Sequence, residues 1–206
     1  KWKEAATFYK AWWNRNKEKI RSQVQVLLSR KPAATPQRAK AIAKWREGNM
    51  HWSQGRLILA ERAFREALDT DPTFARAALC LGMVLARREK WQEAEQYLQR
   101  VVQGRYPDVT DELQARAASE LASLYRRLEY YEKAADWYKR ATALYPRYVE
   151  AYLGLGDMLY KQAFGGRKLD STKRKELLGA AEEAYRKGLK ELQKYDEELV
   201  VLPAEE

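Results

Sequence analysis

Two stretches of this 206-residue chain share one spacing pattern: residues 41–74, "AIAKWREGNMHWSQGRLILAERAFREALDTDPTF", and residues 115–148, "ARAASELASLYRRLEYYEKAADWYKRATALYPRY". Both windows are 34 residues long, and they agree at five positions: a small residue at position 8, Ala at 20, an aromatic residue at 24, Ala at 27 and Pro at 32. Apolar residues also recur every three or four positions, which is the spacing of an amphipathic helix. A repeat of this length predicts a linear array of small units.

The five shared positions have a physical explanation within each unit. Small residues such as Gly48, Ala60 and Ala67 let two antiparallel helices approach closely, while the aromatic residue, Phe64 in the first window, fills the space between them. The proline, here Pro72, ends one helix pair and starts the turn to the next. No run alternates between polar and apolar residues as a strand would. The sequence therefore predicts an all-α fold.

The pattern resembles the tetratricopeptide repeat family, and the resemblance covers roughly residues 41–195. It implies a right-handed solenoid of about four helix-turn-helix units in a repeat domain spanning residues 35–198. The expected units are residues 41–74, 75–108, 115–148 and 149–195. The second unit is a weaker copy, and the fourth carries an insertion near residues 163–173. Residues 199–206 are expected to form a C-terminal tail.

Residues 1–31 lie outside the repeat register but keep helical spacing, which predicts an extra long N-terminal helix, with a linker ending at residue 34. Residues 1–19 of this segment contain three Trp and five Lys. Residues 1–50 hold 13 basic and 3 acidic residues, which leaves 26 of each sign in residues 51–206. The net charge of +10 therefore belongs to the N-terminal quarter, and the body of the chain is neutral.

Three interpretations of this basic, aromatic segment remain open. It is a cap over the first repeat, a helix at a membrane surface or beside an upstream transmembrane anchor, or a nucleic-acid patch. The neutral body offers no continuing positive stripe, which argues against nucleic acid as a partner. The first two interpretations are compatible. The candidate membrane or partner contacts are Lys1, Trp2, Lys3, Trp12, Trp13, Lys17 and Lys19.

The sequence offers little that could support catalysis. His51 is the only histidine and Cys80 the only cysteine, so the chain cannot assemble a tetrahedral metal site from nitrogen and sulfur ligands or form an internal disulfide. No glycine-rich phosphate loop is present. We therefore expect a protein that is not an enzyme and that needs neither a cofactor nor a metal.

The family resemblance implies that the first helix of each pair lines a concave groove. The residues expected to line this partner-binding groove are Trp45, Asn49, Trp52, Arg76, Leu79, Met83, Arg87, Arg116, Ser123, Arg126, Arg127 and Tyr160. The groove changes along its length from aromatic and apolar to basic, which would suit a protein partner with an apolar or acidic segment. Alternatively, Trp45 and Trp52 pack against the N-terminal helix.

One subclass of the family binds the acidic C-termini of heat-shock chaperones through paired Lys or Arg and Asn side chains and a further Arg. Only Asn49 and Arg116 stand at matching positions in this chain. Glu120 occupies another of those positions and places a carboxylate where a carboxylate would have to be received. We therefore do not expect a chaperone tail to be the partner.

These observations predict a non-enzymatic scaffold for protein–protein interaction. We expect an assembly or accessory subunit that is held on the cytoplasmic side of a membrane or on a larger complex. The alternatives are a soluble cytoplasmic adaptor that binds a peptide in its concave groove and, third, a nucleic-acid-binding protein. The single cysteine fits a reducing compartment.

Overall fold

The computed structural model of the protein describes residues 35–165 and 169–200. Within these ranges the backbone forms eight α-helices and no strand. The helices are α1 (Pro36–Ser53), α2 (Leu57–Thr70), α3 (Ala75–Arg87), α4 (Trp91–Val102), α5 (Asp111–Arg127), α6 (Tyr131–Leu144), α7 (Val149–Phe164) and α8 (Ser171–Val200). The all-α prediction is confirmed.

The helices pack as four consecutive pairs, and each pair packs against the next. Small residues at the repeated positions are fully buried, as Ala60, Ala134 and Ala141 show. Gly48 of α1 lies so close to Phe64 of α2 that a Cβ atom at Gly48 would come within 2.5 Å of the ring. The two helices of a pair therefore approach closely, with one aromatic side chain filling the space between them. The fold is the solenoid that the repeat predicts.

The turn inside each of the first three pairs has the same backbone geometry. Position 15 of the repeat is left-handed in all three, with φ of 71° at Gly55, 61° at Glu89 and 62° at Glu129. The fourth pair is different because Ala163, at the same repeat position, lies inside α7. The insertion therefore replaces the short turn.

The connection between α7 and α8 is shorter than the insertion predicted near residues 163–173. The helix α8 already begins at Ser171, and the side chain of Asp170 caps it by accepting a hydrogen bond from the backbone N–H of Lys173 at 2.6 Å. The middle of α8 packs on α7, where Tyr185 covers Gly156. Residues 171–173, the last of the predicted insertion, thus belong to α8, which is 30 residues long.

Charged side chains tie successive pairs together. The guanidinium group of Arg38 in α1 binds Asp71 at 2.8 Å and also contacts Asp108, whose other oxygen accepts a hydrogen bond from the N–H of Ala75 at 2.9 Å. Tyr125 of α5 donates to Glu95 of α4 at 2.6 Å. These contacts set how each pair is placed on its neighbour, and so they position the surface that the first helices share.

The predicted N-terminal helix over residues 1–31 and its linker to residue 34 lie outside the described residues. The same holds for residues 201–206 of the predicted tail.

Candidate functional site

Helices α1, α3 and α5, the first helices of their pairs, surround a cavity of about 490 Å³ that we call the arginine cavity. Its lining residues are Trp52, Met83, Ala86, Arg87, Glu120, Ser123, Leu124, Arg126 and Arg127. Methionine, alanine and leucine give it an apolar side, and three guanidinium groups give it a cationic one. Such a cavity suits a ligand that joins an apolar group to an anionic group.

Two arginines of this cavity region are held against tryptophan rings. The guanidinium carbon of Arg87 lies 5.5 Å from the ring centroid of Trp52, and that of Arg127 lies 5.2 Å from the centroid of Trp91. A cation over an aromatic face is attracted to it and loses side-chain freedom. Both guanidinium groups are therefore positioned before any ligand arrives, while their N–H edges stay available to donate.

A second cavity, of about 700 Å³, adjoins the first along α5, and we call it the tyrosine cavity. Its lining residues are Glu112, Arg116, Glu120, Tyr145, Arg147, Tyr148, Val149, Glu150, Leu153 and Leu192. Glu120 lines both cavities. The two therefore form one continuous surface, which we call the groove.

Four arginines of the groove lie along one surface without forming an ion pair in the described chain. No carboxylate of the described residues lies within ion-pair distance of Arg87, Arg116, Arg126 or Arg127. Exposed arginines outside the groove, such as Arg56 and Arg105, also lack such a pair, so the groove is set apart by the clustering of these side chains. Two of the four, Arg87 and Arg116, interact with the charge of Glu120 without forming an ion pair with it.

Glu120 is the carboxylate at the centre of this surface. Burial raises the pKa of Glu120, and the nearby charges of Arg116 and Arg87 oppose that shift. No donor of the described residues hydrogen-bonds to its carboxylate. In the sequence, Glu120 stands out only as a departure from the chaperone clamp, because it lies outside the repeat positions expected to line the groove.

The structure places most of the predicted groove residues on this surface. Trp52, Met83, Arg87, Ser123, Arg126 and Arg127 line the arginine cavity, and Arg116 lines the tyrosine cavity. Ser123 also shares a hydrogen bond of 3.1 Å with the hydroxyl of Tyr138. Arg76 is exposed at the start of α3. Tyr160 is 52% exposed near the end of α7, with its ring 4.8 Å from that of Phe164.

Leu79 is a correction to the predicted groove. Its side chain is 2% exposed and belongs to the hydrophobic core together with Leu98 and Leu121. The next pair of helices covers this position of α3, so Leu79 cannot contact a partner.

Trp45 and Asn49 are half-buried beside Cys80 rather than open to the cavities. The indole N–H of Trp45 donates to the Cys80 sulfur at 3.3 Å, and its ring packs against Phe74 with centroids 6.0 Å apart. The Cys80 thiol points to the amide oxygen of Asn49 at 4.0 Å. Burial raises the pKa of the Cys80 thiol, which leaves it protonated and unreactive at neutral pH.

In the part of the chain that the structure describes, no group of three or more His, Cys, Asp or Glu side chains is arranged to hold a metal ion. None of the helices in the same part combines the length and the apolar composition needed to cross a membrane. The candidate contacts Lys1, Trp2, Lys3, Trp12, Trp13, Lys17 and Lys19 lie outside the described residues.

Comparison with known families agrees with the architecture. One model of the tetratricopeptide repeat matches residues 73–147, and a second model of the same repeat matches residues 119–196. The chain belongs to the tetratricopeptide repeat family. No curated protein matches its sequence.

Several solved structures share this fold. A crystal structure of MamA is 20% identical, with a TM-score of 0.59, and the match covers 89% of this chain and 95% of that one. The first tetratricopeptide repeat domain of Spaghetti (RPAP3), bound to the HSP90 peptide SRMEEVD, is 22% identical with a TM-score of 0.52, covering 66% of this chain and all of that one. YrrB, described as having an unusual peptide-binding site, is 20% identical with a TM-score of 0.51, covering 76% and 74%. At these identities the likeness concerns the fold alone.

Proposed function

We propose that this tetratricopeptide repeat protein is a non-enzymatic scaffold that binds a segment of a partner protein in the groove. The observation that carries the proposal is the set of unpaired arginines, Arg87, Arg116, Arg126 and Arg127, along two adjoining cavities. Unpaired cations on a protein surface favour an anionic ligand both in the encounter and in the complex. The apolar side of the arginine cavity supplies the second contribution to binding.

The architecture supports a protein segment as the ligand. Two neighbours with the same fold are described with peptides: Spaghetti is bound to an HSP90 peptide, and YrrB has a peptide-binding site. In this chain the groove is built on helices whose arginines are already positioned. Most of the conformational entropy lost on binding would therefore be lost by the partner segment rather than by the groove.

We further propose that the scaffold is an assembly or accessory subunit held at a membrane or on a larger complex through residues 1–31. Support for this part is the sequence, since the whole positive excess lies in residues 1–50 among several tryptophans. Basic residues near an anionic lipid surface contribute about 1 kcal/mol each. A soluble adaptor with the same groove is the alternative.

Site-specific photo-crosslinking tests the groove assignment. The photoreactive residue p-benzoylphenylalanine is placed either at Ser123 in the groove or at Gln96, an exposed position on α4, the second helix of its pair. Partner proteins should crosslink to the variant at Ser123 and not to the one at Gln96. Crosslinking from Gln96 alone would place the interface on the opposite side of the solenoid and contradict the proposal.

A further inference from the structure

The groove contains one feature that a simple acidic-ligand site would not have. Along one face of α5 stand Arg116, Glu120, Ser123 and Arg127, spaced by four, three and four residues. This spacing places their side chains on a single stripe. A carboxylate therefore lies between two cationic groups, in the middle of the groove.

The carboxylate of Glu120 differs from the other half-buried or buried carboxylates of the described residues. Glu61, which is 6% exposed, receives hydrogen bonds from Arg65, Arg88 and Lys90. Asp71 is bound by Arg38. Glu120 has no hydrogen-bond donor of the described residues, although it is half-buried and faces the two cavities. Its oxygens still reach water, since among the described side chains only Nδ1 of His51 is both buried and without a hydrogen-bond partner. A donor from a ligand can therefore replace water at this carboxylate and form a charge-assisted hydrogen bond.

Both sides of Glu120 favour negative charge in the ligand. Arg87, Arg126 and Arg127 line the cavity on one side, and Arg116 lines the cavity on the other. Arg116 and Arg127 are eleven residues apart on α5, a rise of roughly 16 Å. An extended segment covers that distance in about five residues. One short peptide could therefore contact both cationic sides and pass over Glu120.

We infer that Glu120 selects partner segments that place a basic side chain between two acidic ones. This inference rests on the proposed function of the groove and names the chemistry of its ligand. A lysine or arginine of the segment would donate to the carboxylate of Glu120 while its acidic neighbours pair with the arginines. A uniformly acidic segment would set a carboxylate against Glu120, and like charges held together disfavour that complex.

Selection from a random library of 12-residue peptides displayed on phage tests this inference. The library is selected on wild-type protein, on Glu120→Gln, on Glu182→Gln and on the double variant Arg126→Glu/Arg127→Glu. Glu182→Gln is the matched control because Glu182 is an exposed carboxylate of α8 that lies outside the groove and carries the same charge. Affinities of selected peptides, and of versions with the central basic residue changed to Glu, are then measured by fluorescence polarisation.

We expect wild type and Glu182→Gln to enrich peptides with a basic residue between acidic ones. Changing that basic residue to Glu should weaken peptide binding to both proteins at least tenfold. On Glu120→Gln, the affinities of the original and the changed peptide should differ less than threefold. Enrichment of uniformly acidic peptides, or full discrimination by Glu120→Gln, would overturn the inference and leave groove binding intact. Enrichment no greater than on the double arginine variant would overturn both the inference and the proposed function. Poly(U) RNA that binds wild type and displaces the peptides would show a nucleic-acid site instead and overturn both as well.

Discussion

Replacing Glu61 by Ala should lower the free energy of unfolding. The effect should be larger than that of replacing any other ion-paired carboxylate in the first two helix pairs. Glu61 lies in α2 with 6% of its surface exposed. Its carboxylate accepts hydrogen bonds from Lys90 at 2.9 Å and Arg65 at 3.0 Å, and it also contacts Arg88. The substitution would leave these three cations without their shared partner.

The exposure of the three partners determines the size of the effect. Breaking a fully buried ion pair costs about 3–5 kcal/mol, whereas exposed pairs contribute at most about 1 kcal/mol. Arg88, Arg65 and Lys90 expose 26%, 36% and 37% of their side-chain surfaces, so water can hydrate them once Glu61 is gone. We therefore expect a loss of about 2 kcal/mol, equivalent to a fall of about 4–8 °C in Tm for a chain of this size.

Urea unfolding followed by circular dichroism at the helical band measures this loss. The matched control is Glu66→Ala, because Glu66 also pairs with two cations, Lys44 and Arg62, but does so on the surface. The control should change the free energy of unfolding much less than Glu61→Ala does, because water screens exposed ion pairs. Equal effects of the two substitutions would refute the argument that burial makes the Glu61 cluster the stronger one.

The pH dependence of the same pair of proteins gives an independent check. Burial acts to raise the pKa of Glu61, but hydrogen bonds from Lys90, Arg65 and Arg88 outweigh it and hold that pKa below its ordinary value of 4.5. The ionised carboxylate therefore stabilises the fold fully above the ordinary pKa, and this contribution is lost as the pH falls through the lower, folded-state pKa. The difference in stability between wild type and Glu61→Ala should be complete at neutral pH and shrink below about pH 4.

Three further predictions concern the core, the ligand and the N-terminal segment. Ala134→Asp should place an unpaired charge in the α5–α6 contact, where Ala134 is fully buried, and cost several kcal/mol in urea unfolding, whereas an unchanged midpoint would contradict the repeat register. The HSP90 peptide SRMEEVD should bind at least tenfold more weakly in fluorescence polarisation than peptides selected from the library, and comparable affinity would argue against the role of Glu120. Replacing the five lysines of residues 1–19 by Gln should reduce co-sedimentation with phosphatidylglycerol-containing vesicles and make the remaining co-sedimentation less sensitive to salt. Trp12→Ala/Trp13→Ala should reduce co-sedimentation without changing its salt sensitivity. If neither set of changes affects co-sedimentation, residues 1–31 do not localise the protein.

Much of the fold could be predicted from spacing because the repeated positions act locally. Gly48 faces Phe64, and Ala134 is buried at the contact of its helix pair. Both residues are small because the two helices of one unit approach closely there. Leu79 escaped this reasoning, since its burial depends on how the next pair covers α3. The start of α8 at Ser171 was missed because a polar, charged stretch at a helix end has no apolar spacing to reveal it, although Asp170 is a recognisable cap.

The groove was predicted less completely than the fold. Family positions identified the cationic residues, including Arg87, Arg126 and Arg127, because they face outward from the first helices. The tyrosine cavity depends on the connection before α7 and on Leu192 of α8, which meet only after the pairs stack. Glu120 stands between the expected lining residues Arg116 and Ser123 of α5, so only the three-dimensional arrangement shows that it lines both cavities.

Isothermal titration calorimetry of a library-selected peptide against two charge-reversed proteins tests whether the groove is the binding site. The first protein carries Arg126→Glu and Arg127→Glu in the groove, and the second carries Lys139→Glu and Arg140→Glu, two exposed neighbours on α6 that change the net charge equally. We predict that the groove variant loses at least tenfold in affinity while the α6 variant binds like wild type, with both proteins fully helical. Equal affinities for the two variants would show that net charge alone attracts the peptide and that the groove is not its binding site.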